Sequence, residues 1–172
     1  MQNKCLCLTR FDFTQQEFEK YLSKFTIPSW HNYFLELSYA VALRSTCISR
    51  RVGSVIVKDR KIISTGYNGT PPGMLNCNRH GCKVCDNPIK PTGSKYNSNC
   101  ICVHSEVNAI MQSPRKNLEG ASIYVTNKPC NACFLTIIRS GIKHVYYSEE
   151  YNTDYGDLQA ALDSKFTRLY YL

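Results

Sequence analysis

The reading of this chain turns on His104-Ser105-Glu106-Val107-Asn108-Ala109-Ile110 and, further on, Pro129-Cys130-Asn131-Ala132-Cys133. One histidine and two cysteines can hold a metal on three sides. Structural zinc sites close all four positions with protein ligands, whereas catalytic ones keep one for water. Glu106, two residues from His104, is close enough to touch whatever fills that fourth position. Cys130 and Cys133, at i and i+3, share one helical face, so both sulfurs can reach one ion. Pro129 suits the entry to that helix. The competing reading is a zinc ribbon or knuckle, which would want a fourth ligand here and has no use for Glu106.

Working outward, each half of the pattern opens a helix in an alternating region. Helices are expected over His104 to about Gln112 and over about Cys130 to Arg139, the second stopped by Gly141. Strands are expected at Ser122 to Thr126 and His144 to Tyr147, then a helix over Asp157 to Asp163 and a strand from Thr167 to Tyr171. This alternation implies a sheet with a partly parallel half and helices on its faces. Both halves of the metal pattern then sit at helix N-termini, where free N–H groups and partial positive charge favour thiolates. Upstream, Val52 to Val57 and Ile62 to Gly66 read as strands around an Asp59-Arg60-Lys61 turn. Pro28 and Ser29 open a helix with apolar positions from Trp30 to Leu43, ending near Ser45. Thr14-Gln15-Gln16-Glu17 has capping-box form ahead of Phe18, Tyr21, Leu22 and Phe25.

The 172 residues suit one domain with a proper core. Residues 1–27 read as an extension with a short helix and 28–172 as the catalytic domain. No apolar run approaches the ~18 residues of a membrane span, and no export signal is read at the N-terminus. A cytoplasmic setting is therefore expected. The net charge of +8 suits phosphorylated ligands, a nucleotide or a nucleic acid. Basic and aromatic residues do not interleave as in RNA-binding segments, so nucleic acid is the weaker expectation. Seven of the ten cysteines lie between Cys77 and Cys133. In a reducing compartment such clustering points to metal ligands rather than disulfides. The stretch 68–102 is too long for a structureless loop unless something ties it down.

The H-x-E…P-C-x-x-C order is a signature of zinc-dependent nucleobase deaminases. The chain further resembles the deoxycytidylate (dCMP) deaminase family of the cytidine-deaminase superfamily, from about Trp30 onward. Arg44-Ser45-Thr46-Cys47 through Arg51-Val52-Gly53 and Val55-Ile56-Val57 is similar to the family's first helix-to-strand passage. Ile62 to Gly73 is similar to its GYNGxPxG loop, and His104 to Ile110 to its HAExNAI motif, with Ser105 for the usual alanine. Ser140-Gly141-Ile142 and Val145-Tyr146-Tyr147 resemble its last core strand. The resemblance implies a three-layer αβα sandwich with a central mixed five-stranded sheet. It also implies hydrolytic deamination of dCMP to dUMP and ammonia, with Glu106 as base and then acid. By the same token Asn68, Ser105, Asn108 and Tyr151 belong to the substrate site, with Tyr155 an alternative to Tyr151. Gly66, Tyr67, Gly69, Pro71 and Gly73 belong to an allosteric nucleotide loop, where dCTP activates and dTTP inhibits. A homo-oligomer, hexamer favoured, is implied as well. The bland alternative for this loop is a hairpin exit.

Some family members carry a second, structural zinc near the substrate loop. Mapped onto this chain, its ligands would be Cys47, Cys77, Cys82 and Cys100, with Cys85 and Cys102 as alternates and His80 weaker. Unligated thiols are the competing reading. His31 and His144 read as surface or core-edge residues, and either Arg50 or Arg51 as a phosphate contact or a solvated cation. Two other functions compete with dCMP deamination. One is a nucleic-acid cytosine or adenine deaminase, supported by the charge. The other is an inactive, zinc-stabilised binding protein, against which the intact Glu106 speaks.

Overall fold

The structure, a computed structural model, describes residues 14–22, 26–86, 100–151, 153, 155–163 and 167–172. The expected positions Phe25 and 87–99 lie outside the described residues. Helix α1, Gln15–Leu22, starts at the expected capping box. The Glu17 carboxylate accepts from the Thr14 N–H at 2.9 Å, while the Glu17 N–H donates to the Thr14 hydroxyl at 3.4 Å. Helix α2, Trp30–Ala42, is capped by Ser29, whose side chain accepts from the Asn32 N–H at 3.1 Å. It stops short of Ser45. There the Ser45 hydroxyl bonds the Asn68 carbonyl at 2.7 Å, and the chain turns off to carry Cys47 away.

Strands β1, Gly53–Lys58, and β2, Lys61–Tyr67, form an antiparallel hairpin. Asp59 and Arg60 make its turn, with φ of 51° and 60°. Two left-handed residues give the turn whose twist matches the strands. A 3₁₀ turn at Cys77–Arg79 and a short helix α3, Lys83–Asp86, follow. Then come α4, Ser105–Met111, a short α5, Arg115–Leu118, and β3, Ser122–Asn127. Helix α6, Asn131–Ser140, leads to β4, His144–Glu149. Helix α7, Gln159–Asp163, leads to β5, Arg168–Tyr171. Both α3 and α5 are additions to the sequence reading. One-turn helices of this kind carry no periodicity to read.

The five strands lie in the order β2-β1-β3-β4-β5. β1 runs antiparallel to β2 and β3, and β3, β4 and β5 run parallel. This is the expected mixed sheet with a parallel half. Alternation along β1 and β3 sorts the two faces. Val55, Val57 and Tyr124 pack with Phe34 and Leu35 of α2. Ile56, Ile123 and Val125 pack with Ala109 of α4 and with Phe134 and Ile137 of α6. Phe134 and Ile137 are fully buried. Each contributes on the order of 1.5–3 kcal/mol by burial, which fixes the roll of α6 on the sheet. On the α2 face Tyr124, Tyr146 and Tyr170 stand in register across β3, β4 and β5, stacked at 4.8 and 4.7 Å. His31 and His144 attach to this ladder through Tyr124 and Tyr170, at 3.0 and 3.3 Å.

Two glycines set the distance of the helices from the sheet. A Cβ at Gly53 would overlap the Ser38 carbonyl and the Ala42 backbone of α2. A Cβ at Gly66 would overlap the Ser105 carbonyl and the Ala109 backbone of α4. Gly66 thus serves close helix–strand packing, and through it the N-terminus of α4 is pressed against the end of β2.

Candidate metal centre and its surroundings

His104 is the N-cap of α4 and Cys130 the N-cap of α6, both in extended backbone conformation. Cys133 lies one turn into α6, on the stripe that continues through Phe134 and Ile137 into the core. The residues that seat the helix therefore also aim the thiols. The donor atoms of His104, Cys130 and Cys133 all lie within 4.8 Å of one another. His104 Nδ1 stands 3.2 Å from Cys133 Sγ and 3.5 Å from Cys130 Sγ. One nitrogen and two sulfurs converging at this spacing fit a zinc ion with a position to spare.

The three donors hold their protons unequally. The Cys133 thiol and, after it, His104 hold Cys130 down at about 4, against the pull of burial. The proton stays with Cys133, pushed up first by its bond to Cys130 and then by burial. His104 is raised, chiefly by its bond to Cys130. Glu106 is buried in the first turn of α4, and burial pushes its carboxyl up. A carboxyl held above its ordinary range is better suited to accept a proton and return it.

Ser105, expected at the substrate, has a fully buried side chain. Its hydroxyl donates to Glu106 Oε2 at 2.9 Å and so has no hydrogen left for Ser54. Ser54 Oγ, 2.7 Å away, is then the donor to Ser105. The direction of the chain is Ser54 to Ser105 to Glu106. Sequence reading missed Ser54. The signal was a lone hydroxyl residue on the apolar β1, at the alternation position facing α4. Lys128 was missed too. It directly precedes Pro129, bonds Glu150 at 3.2 Å, and lies 5.7 Å from the Tyr155 ring centre.

Both expected substrate asparagines are engaged with the protein. Asn68 is buried; its side-chain Oδ1 shares the Ser45 hydroxyl with its own backbone carbonyl, at 2.6 Å, and accepts from the Val52 N–H at 2.9 Å. Its amide donates to the Arg50 carbonyl at 2.9 Å. Asn108 donates to the Tyr67 carbonyl at 2.8 Å. These bonds brace the exit of β2, where Gly69 pairs with Val103 in an isolated antiparallel bridge. Of the two aromatic candidates, Tyr155 is a core residue. Its hydroxyl donates to the Pro129 carbonyl at 2.9 Å and its ring packs on Phe134. Tyr151 is half-buried, with the Arg50 guanidinium 5.0 Å from its ring centre. Tyr67, the last residue of β2, is exposed, Pro71 is half-buried on the loop that follows, and Gly73 adopts φ 85°.

The structure gathers six cysteines beyond this site. Cys47, Cys77, Cys82, Cys85 and Cys102 are buried together, with Cys100 packed against them. The expected quartet is there, and both alternates are there as well. Burial and neighbouring thiols push Cys77, Cys85, Cys100 and Cys102 up, Cys85 to about 12. Burial also acts on Cys82, yet the backbone N–H groups of Cys85, Ile101 and Val84 outweigh it and bring the thiol down to about 7. His80 is exposed and pairs with Asp86 at 3.3 Å. Among the described residues no helix is long and apolar enough to cross a membrane.

Comparison with known proteins agrees with this geometry. The chain is 42% identical over 128 residues to deoxycytidylate deaminase of Schizosaccharomyces pombe, covering 74% of this chain and 39% of that protein. It is 43% identical over 129 residues to deoxycytidylate deaminase of Mycobacterium phage D29, covering 72% and 97%. The chain spans roughly two fifths of the fungal relatives it matches, 39% and 43%. Among solved structures, dCMP deaminase of cyanophage S-TIM5 in complex with dCMP and dUMP superposes with a TM-score of 0.66 at 25% identity. That superposition covers 86% of this chain and 100% of the other. Residues 28–149 match the cytidine and deoxycytidylate deaminase zinc-binding region, and the chain belongs to that family.

Proposed function

We propose that this chain hydrolyses dCMP to dUMP and ammonia, with zinc held by His104, Cys130 and Cys133. The observation that carries the reading is the buried Glu106 beside three converging N and S donors. The relatives named deoxycytidylate deaminase, and the structural neighbour with dCMP and dUMP, support the substrate. Zinc, when bound, supplies Lewis-acid activation of water at neutral pH. Glu106 takes the first proton of the attacking water and passes it to the ring nitrogen; it then takes the second proton, from the new hydroxyl on the amidine carbon, and gives it to the amino group, which leaves as ammonia as the carbonyl forms. Its burial keeps bulk water from competing for these transfers. Ser105 holds one carboxylate oxygen, leaving the other for this traffic. Asn68 and Asn108 fix the backbone after β2, and Tyr151 with Arg50 offers a ring and a cation for a pyrimidine nucleotide. In this reading the enzyme is cytoplasmic and homo-oligomeric, hexameric by preference. The loop Gly66 to Gly73 takes dCTP as activator and dTTP as inhibitor. A second zinc, structural, sits among Cys47, Cys77, Cys82 and Cys100.

A nucleic-acid deaminase is the second reading, favoured by the net charge of +8. Ammonia release from dCMP, dCTP, cytidine and a cytosine oligonucleotide, each with and without dCTP and dTTP, separates the two. dCMP should lead the panel, and dCTP should shift its saturation curve by the ~5–150-fold span of ordinary allosteric coupling. Turnover of the oligonucleotide alone would replace the nucleotide reading.

A further inference from the structure

Ser54 and Ser105 bring two hydroxyls together where neither residue is exposed at all. Ser54 faces α4 from β1, on the same side of the strand as Ile56. It pairs with Gly66 on β2 and with Val125 on β3. The bare backbone of Gly66 leaves room beside Ser54. The first turn of α4 fills that room, since a Cβ at Gly66 would overlap the Ser105 carbonyl. Ser105 Oγ is thereby brought to 2.7 Å from Ser54 Oγ.

Each hydroxyl carries one hydrogen and needs one acceptor for it. Among the described residues Ser54 Oγ has a single partner, Ser105 Oγ, while Ser105 Oγ has Ser54 Oγ and Glu106 Oε2. Were Ser105 to donate to Ser54, the Ser54 hydrogen would be buried without an acceptor, at the desolvation cost of that group. Only one order places both hydrogens: Ser54 donates to Ser105, and Ser105 donates to Oε2. Oε2 is therefore required as an acceptor whether or not Glu106 carries a proton. A proton on Oε2 itself would turn the chain round and strand the Ser54 hydrogen. Glu106 also meets its own backbone N–H and the Cys133 thiol. The carboxyl thus stands between the serine pair and the metal donors.

We propose that Ser54 is a positioning residue for the reaction, acting through Ser105 to keep Glu106 Oε2 an acceptor and so to confine the moving protons to Oε1. The proposal rests on the reading above of Glu106 as the proton carrier. Both transfers, from water to the ring nitrogen and from the new hydroxyl to the amino group, then use one oxygen in one position. A carboxyl free to turn would present either oxygen, and a proton lodged on the inner one would be out of reach of the substrate. Donation from Ser54 polarises the Ser105 hydroxyl and strengthens its hold on Oε2. It also fixes the Ser105 side chain in one of its staggered rotamers.

The test is a double-mutant cycle on the metal-replete protein, with zinc content checked in each variant. Ser54→Ala should lower kcat for dCMP about two- to fivefold and leave KM and zinc unchanged, because the hold on Oε2 weakens while substrate contacts stay. In the Ser105→Ala background the same change should leave kcat where Ser105→Ala alone put it, since Ser54 acts only through Ser105. Thermal unfolding adds a readout free of turnover. Ser105→Ala strands the Ser54 hydrogen, so the double variant should melt higher than Ser105→Ala alone. An equal fall in kcat in both backgrounds, or none in either, would overturn the positioning role. A double variant that melts no higher than Ser105→Ala would overturn the direction of the chain, and the confinement of the proton with it. Wild-type protein that releases no ammonia from dCMP would instead overturn the reading of Glu106 on which the proposal stands.

Discussion

The donors of the His104 site cap or enter two longer helices of the main core, whereas those of the cysteine cluster come from loops, a 3₁₀ turn and the one-turn helix α3. Helices α4 and α6 are seated by Ala109, Phe134 and Ile137 in the main core, so His104, Cys130 and Cys133 are aimed before any metal arrives. Among the described residues, Val84 is the apolar side chain packed against the cluster's sulfurs. On the proposed reading the first site is a product of the fold, and the second is a condition for part of it. Catalysis asks for the first arrangement, because a reacting group must be held in place without depending on its ligand. Fastening a polar loop asks only for the second.

The sharpest break in this comparison is Cys133→Ser. It should abolish one zinc and lower dCMP turnover at least a hundredfold, since metal activation is worth several kcal/mol. The sheet and the cluster metal should survive, as read by circular dichroism and zinc content. Loss of all zinc together would mean that the two sites are not independent. Chelation should act in the opposite sense. With all zinc withdrawn, limited proteolysis within 68–102 should speed up by about tenfold or more, while the sheet keeps its dichroism. Equal protection of the loop with and without metal would remove the structural role of the cluster. A smaller effect is expected from Ser105→Ala, which takes the acceptor from Ser54 and one donor from Glu106. Stability should fall by about 0.5–1.5 kcal/mol in thermal unfolding, with kcat reduced less than tenfold and KM unchanged. A raised KM would instead put Ser105 in contact with substrate.

The same contrast explains what the sequence disclosed. Helical spacing ties Cys130 to Cys133, and Glu106 follows His104 by two residues at the start of α4, so short local spacing alone brought those residues close. The hairpin was legible from Asp59 and Arg60 between two apolar runs, and the parallel half from its alternation of helix and strand. Ser54 was not legible as the partner of Ser105, because 51 residues separate them and only the packing of α4 on β1 brings them together. Asn68 and Gly66 were visible as residues but not in their roles, since hydrogen-bond partners and close approach are tertiary facts. For the six cysteines the sequence offered spacing without geometry. Nothing periodic connects Cys47 to Cys77 or Cys102, so four could be chosen but the membership of six could not.

The central claim is that Glu106 moves the proton at a site built by His104, Cys130 and Cys133. It is tested most directly by Glu106→Ala, with zinc content and dCMP turnover measured on the same preparation. Zinc per chain should match the wild type, and turnover should fall by at least the ~10²–10⁴-fold of a lost general acid–base. A variant with full zinc and near wild-type release of ammonia would contradict the account.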